Sequence, residues 1–192
     1  MTCIVGLARE GRVWIGADSA GVGGYSLTQR ADQKVFINGD FIFGFTSSFR
    51  MGQLLRYRFE PPRHHPDDDL LRFMSTEFVD EVRACLKKYG WAKIENAVEE
   101  GGTFLVGYKG QLFKVEDDFQ VAQSIHPFDA CGCGEDLALG ALHAMAGLDL
   151  LAEARGGEAG WQAAVERALA AAEAFSAGVR APFHVLSSGG RP

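Results

Sequence analysis

The sequence predicts an α+β protein: a four-layer αββα sandwich in which two antiparallel sheets pack face to face between helices. Three observations carry this. The strand-like segments come as hairpins and not as strand–helix–strand units, so the sheets are antiparallel. The first strands are apolar on both faces, so they are covered on both sides. The helical segments come in two groups, one after the first strands and one before the last.

Taken in order, the elements read as follows. From Thr2 to Ala8, the residues Cys3, Val5 and Leu7 alternate with Ile4, Gly6 and Ala8. After the turn "AREGR", Val13, Ile15 and Ala17 alternate with Trp14, Gly16 and Asp18. Two such period-two runs make a hairpin, which returns the end of the second strand toward residue 2. "AGVGGYSLTQRADQ" reads as a Gly-rich connection. "KVFINGDFIFGFTSS" holds two short strands around a type I′-like turn at Asn38–Gly39. The period then changes: "FRMGQLLRYRFE" suits a helix with Ser48 as its N-cap.

Pro61, Pro62 and Pro66 break the chain. Beyond them Leu70, Leu71, Met74, Phe78, Val82 and Leu86 recur at helical spacing, with acids leading and lysines closing before Gly90, as the helix dipole favours. "TFLVGYKGQLFKVEDDFQVAQS" reads as an antiparallel meander. Two helices follow, "GEDLALGALHAMAG" and "AGWQAAVERALAAAEAFSAG"; the first is apolar nearly all round and is expected between layers. "FHVLSS" is a last strand.

Length and composition fit one domain over residues 1–192. A hydrophobic fraction of 47% and a charged fraction of 23% are ordinary for a chain with its own core. The net charge of −6 argues against nucleic acid or an anionic membrane as partner. No apolar run approaches the roughly 18 residues of a membrane span, and no secretory signal is read at the start. Cys3, Cys85, Cys131 and Cys133 lack framework spacing, which points to a reduced, cytoplasmic protein. "RHHPDDD" reads as a solvated loop leading into a helix, and a single C-x-C is too little for a metal centre, so neither metal nor cofactor is expected. His126, His143 and His184 are scattered and read as structural.

The chemistry centres on Thr2. Once Met1 is removed, Thr2 presents an α-amine and a hydroxyl on one residue. A hydroxyl is a weak nucleophile that needs a base within hydrogen-bond reach, and an N-terminal amine is such a base. Its unperturbed pKa is ~7.7–8.0, so a useful fraction is neutral near pH 7. Asp18 and Lys34 complete the set as an ion pair at strand ends, with the lysine poised toward the threonine and the aspartate holding the lysine.

Asp18 lies 16 positions after Thr2 and Lys34 lies 32 after it. This spacing is similar to that of the catalytic Thr, Asp and Lys of proteasome β-subunits and the bacterial HslV-type peptidase. "TCIVGLAREGRVWIGAD" resembles the family's opening hairpin, "FIFGFTSS" its oxyanion strand and turn, and "CGCGEDLALGAL" its Gly-Ser-Gly lead into the central helix. "AEAFSAGVRAPFHV" resembles the segment that brings an acid and a serine near the threonine. The chain resembles this family over nearly its whole length, as a divergent bacterial proteasome-like member.

The resemblance implies the N-terminal nucleophile (Ntn) hydrolase fold, the same αββα sandwich, and a threonine-type peptidase. It implies an oxyanion hole at Ser47 or Ser48, where the family usually carries glycine. It implies supporting roles for Cys133, standing where the family has serine, and for Glu173 and Ser176, the acid standing where the family has aspartate. It places a substrate pocket near Gly21, Asp32, Phe36 and Phe45; an aspartate there would favour a basic side chain and the phenylalanines an apolar one. It further implies a homo-oligomeric ring, peptide or unfolded-protein substrates, and an ATP-dependent unfoldase partner. Two rivals stand beside it: an Ntn amidohydrolase acting on a small amide, and a catalytically inactive, structural ring subunit.

Overall fold

In the computed structural model, which describes residues 1–91, 93–95, 98–148 and 157–188, β1 (Cys3–Arg9) and β2 (Arg12–Ala17) form the expected opening hairpin, with Ile4 opposite Ala17. Glu10 and Gly11 both take positive φ, 50° and 73°, the geometry that matches a two-residue loop to strand twist. The Gly-rich segment is a hairpin of its own, β3 (Ala20–Gly23) and β4 (Ser26–Gln29), and not a plain connection. Its glycines and polar residues hide the strand signal, because Ala20 is its one fully buried residue. In the next hairpin, β5 (Val35–Asn38) and β6 (Phe41–Phe45), Asn38 pairs with Phe41, so the loop residues are Gly39 and Asp40. Only Gly39 has positive φ, 59°, as in a type II′ turn and not the expected I′.

Helix α1 (Phe49–Tyr57) starts at Ser48, whose hydroxyl accepts the Arg50 N–H at 3.0 Å. Asp69 caps α2 (Leu70–Phe73), which runs through one π-helical turn, Met74–Phe78, into α3 (Val79–Lys88). A short hairpin that the sequence does not announce follows, β7 (Lys93–Glu95) and β8 (Val98–Glu100). The meander is β9 (Phe104–Tyr108), β10 (Gln111–Val115) and β11 (Val121–Ala122). An unanticipated strand, β12 (Phe128–Gly132), precedes α4 (Glu135–Gly147) and α5 (Glu158–Phe175), and β13 (His184–Ser188) closes the fold. No helix among the described residues is long and apolar enough to cross a membrane.

The strands assemble into two antiparallel sheets, β12-β1-β2-β13 and β11-β10-β9-β6-β5. Their period-two alternation sorts the apolar side chains into separate cores. Ile4, Val13 and Ile15 of the first sheet meet Val35, Ile42, Leu105 and Leu112 of the second in one cluster. Cys3, Val5, Leu7 and Trp14 point the other way, onto Leu142, Trp161, Val165 and Leu169 of α4 and α5. Phe36, Phe43, Phe104 and Phe113 of the second sheet pack on Met51, Leu54, Phe73 and Phe78 of the first helices. Helix α4 packs along α5 and over β12 and β1, with Ala138 and Leu142 fully buried and Leu137, Leu139, Ala141 and Met145 half-buried, so its outer side stays open to solvent in this chain.

Close approach of the sheets requires glycine at position 44. A Cβ there would lie 2.5 Å from Cγ2 of both Ile4 and Ile15. Gly44→Ala is therefore expected to destabilise the fold by about 1–3 kcal/mol through overpacking. Chemical denaturation checks this; an unchanged midpoint contradicts the packing described.

Candidate active site

One end of the two sheets gathers every group of interest. Thr2 precedes β1, Asp18 follows β2, and Cys133 follows β12, so three neighbouring strand ends of the first sheet converge. Lys34 immediately precedes β5, and its carbonyl accepts the Phe45 N–H at 3.0 Å, which sets it beside the end of β6 in the second sheet. Hairpin register therefore places residues far apart in sequence at one rim.

Asp18 and Lys34 form a buried ion pair. The lysine Nζ donates to Asp18 Oδ1 at 2.8 Å, and both residues are 1% exposed. The same oxygen accepts the Cys3 N–H at 3.0 Å, which ties the pair to the residue after Thr2. Oδ2 accepts the Ala20 N–H at 2.8 Å and the Arg180 N–H at 3.3 Å. Four N–H donors thus surround one carboxylate, as a buried charge demands. Burial holds Lys34 below the usual lysine range, while the charge of Asp18 opposes that shift. The two backbone donors at Ala20 and Arg180 leave no trace in the side-chain pattern, so the sequence does not reveal them.

Thr2 is 5% exposed. Its nitrogen donates to Cys133 Sγ at 3.2 Å, and Cys133 Sγ lies 3.5 Å from Ser176 Oγ. Its hydroxyl donates to the carbonyl of Met1, and its own carbonyl accepts the Gly134 N–H at 3.4 Å. The Gly-Cys-Gly run has a steric cause. Gly132 has φ 99°, and a Cβ on it would lie 2.3 Å from the Thr2 carbonyl oxygen. A Cβ on Gly134 would lie 2.8 Å from that of Cys3. Glu173 does not join this chain: its carboxylate accepts the Ala181 N–H at 2.9 Å and braces the loop after α5. That loop is also tied to β2, since the Ser19 N–H donates to the Arg180 carbonyl at 2.9 Å.

The turn after β6 supplies one unengaged amide. The Thr46 N–H donates to the Thr103 carbonyl at 3.1 Å and the Ser48 N–H to the Thr46 carbonyl at 2.7 Å. Ser48 is thus occupied at both its amide and its hydroxyl, which corrects its assignment to an oxyanion hole. Ser47 has φ 62° and its hydroxyl accepts the Thr103 N–H at 3.0 Å, while its amide bonds to no described residue. A cavity of ≈ 80 Å³ opens here, with Thr2, Val22, Lys34, Phe45, Ser47 and Phe49 among its walls.

Of the four expected pocket residues, Phe45 alone lines this cavity. Phe36 is buried in the helix-side core, stacked on Phe43 at 5.1 Å. Asp32 is engaged by Arg30 at 2.7 Å through both carboxylate oxygens. Gly21 faces Arg30, whose Cδ lies 2.8 Å from where a Cβ would stand. Met1, Val22, Thr46 and Phe49 are lining residues that sequence reasoning did not place there; Phe49 was legible as the residue directly after the helix cap.

The buried thiols are unsuited to nucleophilic work. Cys3 is pushed up to about 12, by burial first and then by Asp18, and burial also raises Cys131. All four cysteines are free. Among the described residues no group of three His, Cys, Asp or Glu side chains is placed to hold a metal ion.

Truncating Asp18 leaves Lys34 buried without its counter-charge. Asp18→Ala is expected to cost about 3–5 kcal/mol of stability, and pairing it with Lys34→Met is expected to recover part of the loss. Urea denaturation of the three variants checks both; a wild-type midpoint for Asp18→Ala contradicts the pair's structural role.

No protein-family model matches the sequence, and comparison with curated proteins gives no match. Solved structures do match. BPH of Thiobacillus denitrificans in complex with epoxomicin superposes with a TM-score of 0.74 at 20% identity, covering 99% of this chain and 100% of that one. A second BPH structure gives 0.73 at 20% identity, with 96% of each chain covered. Eukaryotic HslV from Trypanosoma brucei gives 0.64 at 16% identity, covering 96% of this chain and 98% of that one. The chain therefore has the α+β fold of HslV-type, proteasome-like proteins from end to end.

Proposed function

We propose that this chain is a threonine-type peptidase whose nucleophile is Thr2, freed as the first residue by removal of Met1. One observation carries the reading: Thr2 and Lys34 line the same small cavity, and the Lys34 ammonium is fixed by a fully buried Asp18. This reading takes the fold as a four-layer αββα sandwich of the Ntn-hydrolase type, which the three separate apolar clusters support.

In this mechanism Thr2 Oγ attacks a peptide carbonyl. The α-amine of Thr2, directly or through one water, takes the hydroxyl proton and returns it to the leaving amine. Lys34 places positive charge beside the amine and Oγ, which favours the neutral amine and the developing alkoxide. Asp18 keeps that charge in place. Cys133, backed by Ser176, accepts an N–H of the amine and points its lone pair toward Oγ. The Ser47 N–H, the one unengaged amide of its turn, holds the oxyanion. Water then hydrolyses the acyl-enzyme by the same proton route.

The chain works as a homo-oligomeric ring in the cytoplasm, on peptides or on unfolded proteins fed by an ATP-dependent unfoldase. The end-to-end match to HslV supports this setting, and the epoxomicin complex of BPH supports the peptidase class.

Hydrolysis of fluorogenic peptides and of casein tests the reading. Thr2→Ala is expected to abolish turnover, Thr2→Ser to retain a measurable part, and Lys34→Ala to lower kcat by about 10²-fold or more, the scale of losing electrostatic or proton-transfer assistance. Turnover in purified Thr2→Ala equal to that of the wild type overturns it.

A further inference from the structure

A charged cluster that the proposed chemistry does not use stands behind the rim. Leu112 and Lys114 of β10 lie on one side of the strand by period-two alternation, and Leu112 packs in the core between the sheets. Lys114 therefore reaches toward the first sheet. Its ammonium donates to Glu135 Oε1 at 2.7 Å and lies 3.3 Å from Glu116 Oε1. Burial by itself would lower this lysine, but Glu135, Glu116 and Asp129 hold it above its usual range. An exposed ion pair moves freely and contributes little. This lysine side chain is only 12% exposed and is held from two sides.

Each carboxylate leads to a different half of the site. Glu135 opens α4 directly after Gly134, whose N–H donates to the Thr2 carbonyl at 3.4 Å. Glu116 Oε2 accepts the Thr103 hydroxyl at 3.5 Å. Thr103 in turn holds the turn after β6 twice. Its N–H donates to Ser47 Oγ at 3.0 Å, and its carbonyl accepts the Thr46 N–H at 3.1 Å. The two sheets share no ladder among the described residues, so side chains set their spacing at this rim. Two buried or half-buried ion pairs cross the gap, Asp18 to Lys34 from β2 to β5 and Glu135 to Lys114 from β12 to β10. Strand order puts β1, which Thr2 precedes, between β12 and β2, and β6, which Ser47 follows, between β10 and β5. The pairs therefore bracket the nucleophile and the oxyanion turn together.

We propose that Lys114 is a positioning residue for the reaction: pinned between Glu135 and Glu116, it sets the spacing between Thr2 and the Ser47 amide. The inference rests on the threonine-peptidase reading and adds to it a group that touches neither nucleophile nor substrate. An oxyanion donor works only at hydrogen-bond distance from the oxygen of the carbon that Oγ attacks. Misplacement by about 1 Å can cost about 10²-fold in rate. Loss of the spacing weakens an interaction made in the transition state, so it lowers kcat and leaves KM in place.

The test compares the wild type with Lys114→Met, which removes the charge and keeps the length, with Lys114→Arg, which keeps the charge, and with Glu135→Gln and Glu116→Gln, which loosen one side each. Each is measured for kcat and KM on a fluorogenic peptide and for the rate at which a peptide epoxyketone labels Thr2, at a temperature where circular dichroism shows it folded. Lys114→Met is expected to lower kcat and the labelling rate by about tenfold or more with KM within about twofold, and Lys114→Arg to recover part of the loss. Glu135→Gln lowers kcat by a smaller factor and costs little more when added to Lys114→Met, as members of one linked network do. Should Lys114→Met not fold, Glu135→Gln and Glu116→Gln carry the test. An unmoved kcat in folded Lys114→Met, or in both glutamine variants, overturns the inference, as does a raised KM with kcat unchanged. Absence of labelling at Thr2 of the wild type by every probe overturns the peptidase reading itself, and this inference with it.

Discussion

The buried contact between Asp18 and Lys34 is the constraint on which the rest of the site depends. Two opposite charges removed from water are tolerated only when their geometry is good and their remaining hydrogen-bonding capacity is met. Here the cost is offset by N–H donors from four places: the main chain at Cys3, Ala20 and Arg180, and the side chain of Lys34. Those donors belong to the first strand, the hairpin arm, the loop after α5 and the second sheet. A single carboxylate therefore fixes the relative position of all four, and with them the residue that precedes β1.

The sandwich explains why the site lies where it does. In two stacked antiparallel sheets every strand interior is engaged by ladder bonds and packing, so unengaged backbone groups occur at the rims. At this rim the Ser47 amide has no partner among the described residues, because a positive φ turns the chain away from the β6–β9 ladder. The Cys133 thiol reaches the Thr2 nitrogen because glycines on both sides let β12 run close under the Thr2 carbonyl. The helix that begins at Ser48 delivers Phe49 to the cavity in its first turn, and the Arg30 guanidinium lies over that ring.

Much of this was legible in the sequence, and the gaps have physical causes. The doubly apolar alternation from Cys3 to Ala17 gave the central hairpin, and the change of period after Ser48 gave α1, because burial on both faces and a capping hydroxyl are strong local signals. The arm at residues 20–29 and the strand at 128–132 were hidden. The first buries little, and the second, FDACG, is short and loses its alternation at Ala130–Cys131, both buried. At the site, Thr2, Asp18 and Lys34 were legible through the resemblance of their spacing to that of the proteasome and HslV-type catalytic residues, and the hairpins bring all three to one rim. It could not tell that Glu173 turns to Ala181, that Asp32 is consumed by Arg30, or that Ser48 spends its amide on Thr46. Those outcomes depend on which of several nearby partners wins, and that is settled by distances of a few tenths of an ångström.

The central claim is that the first amine and the hydroxyl beside it act together on residue 2. An α′,β′-epoxyketone tests it most directly, because a doubly linked, ring-closed adduct forms only where an amine and a hydroxyl stand on adjacent carbons. Purified protein is incubated with a peptide epoxyketone, digested, and the adduct located by tandem mass spectrometry. The account predicts one adduct per chain, on an N-terminal peptide that begins at Thr2 and is joined through both groups. Protein that retains Met1 and stays unlabelled, or that carries its adduct on Cys133 alone, contradicts it.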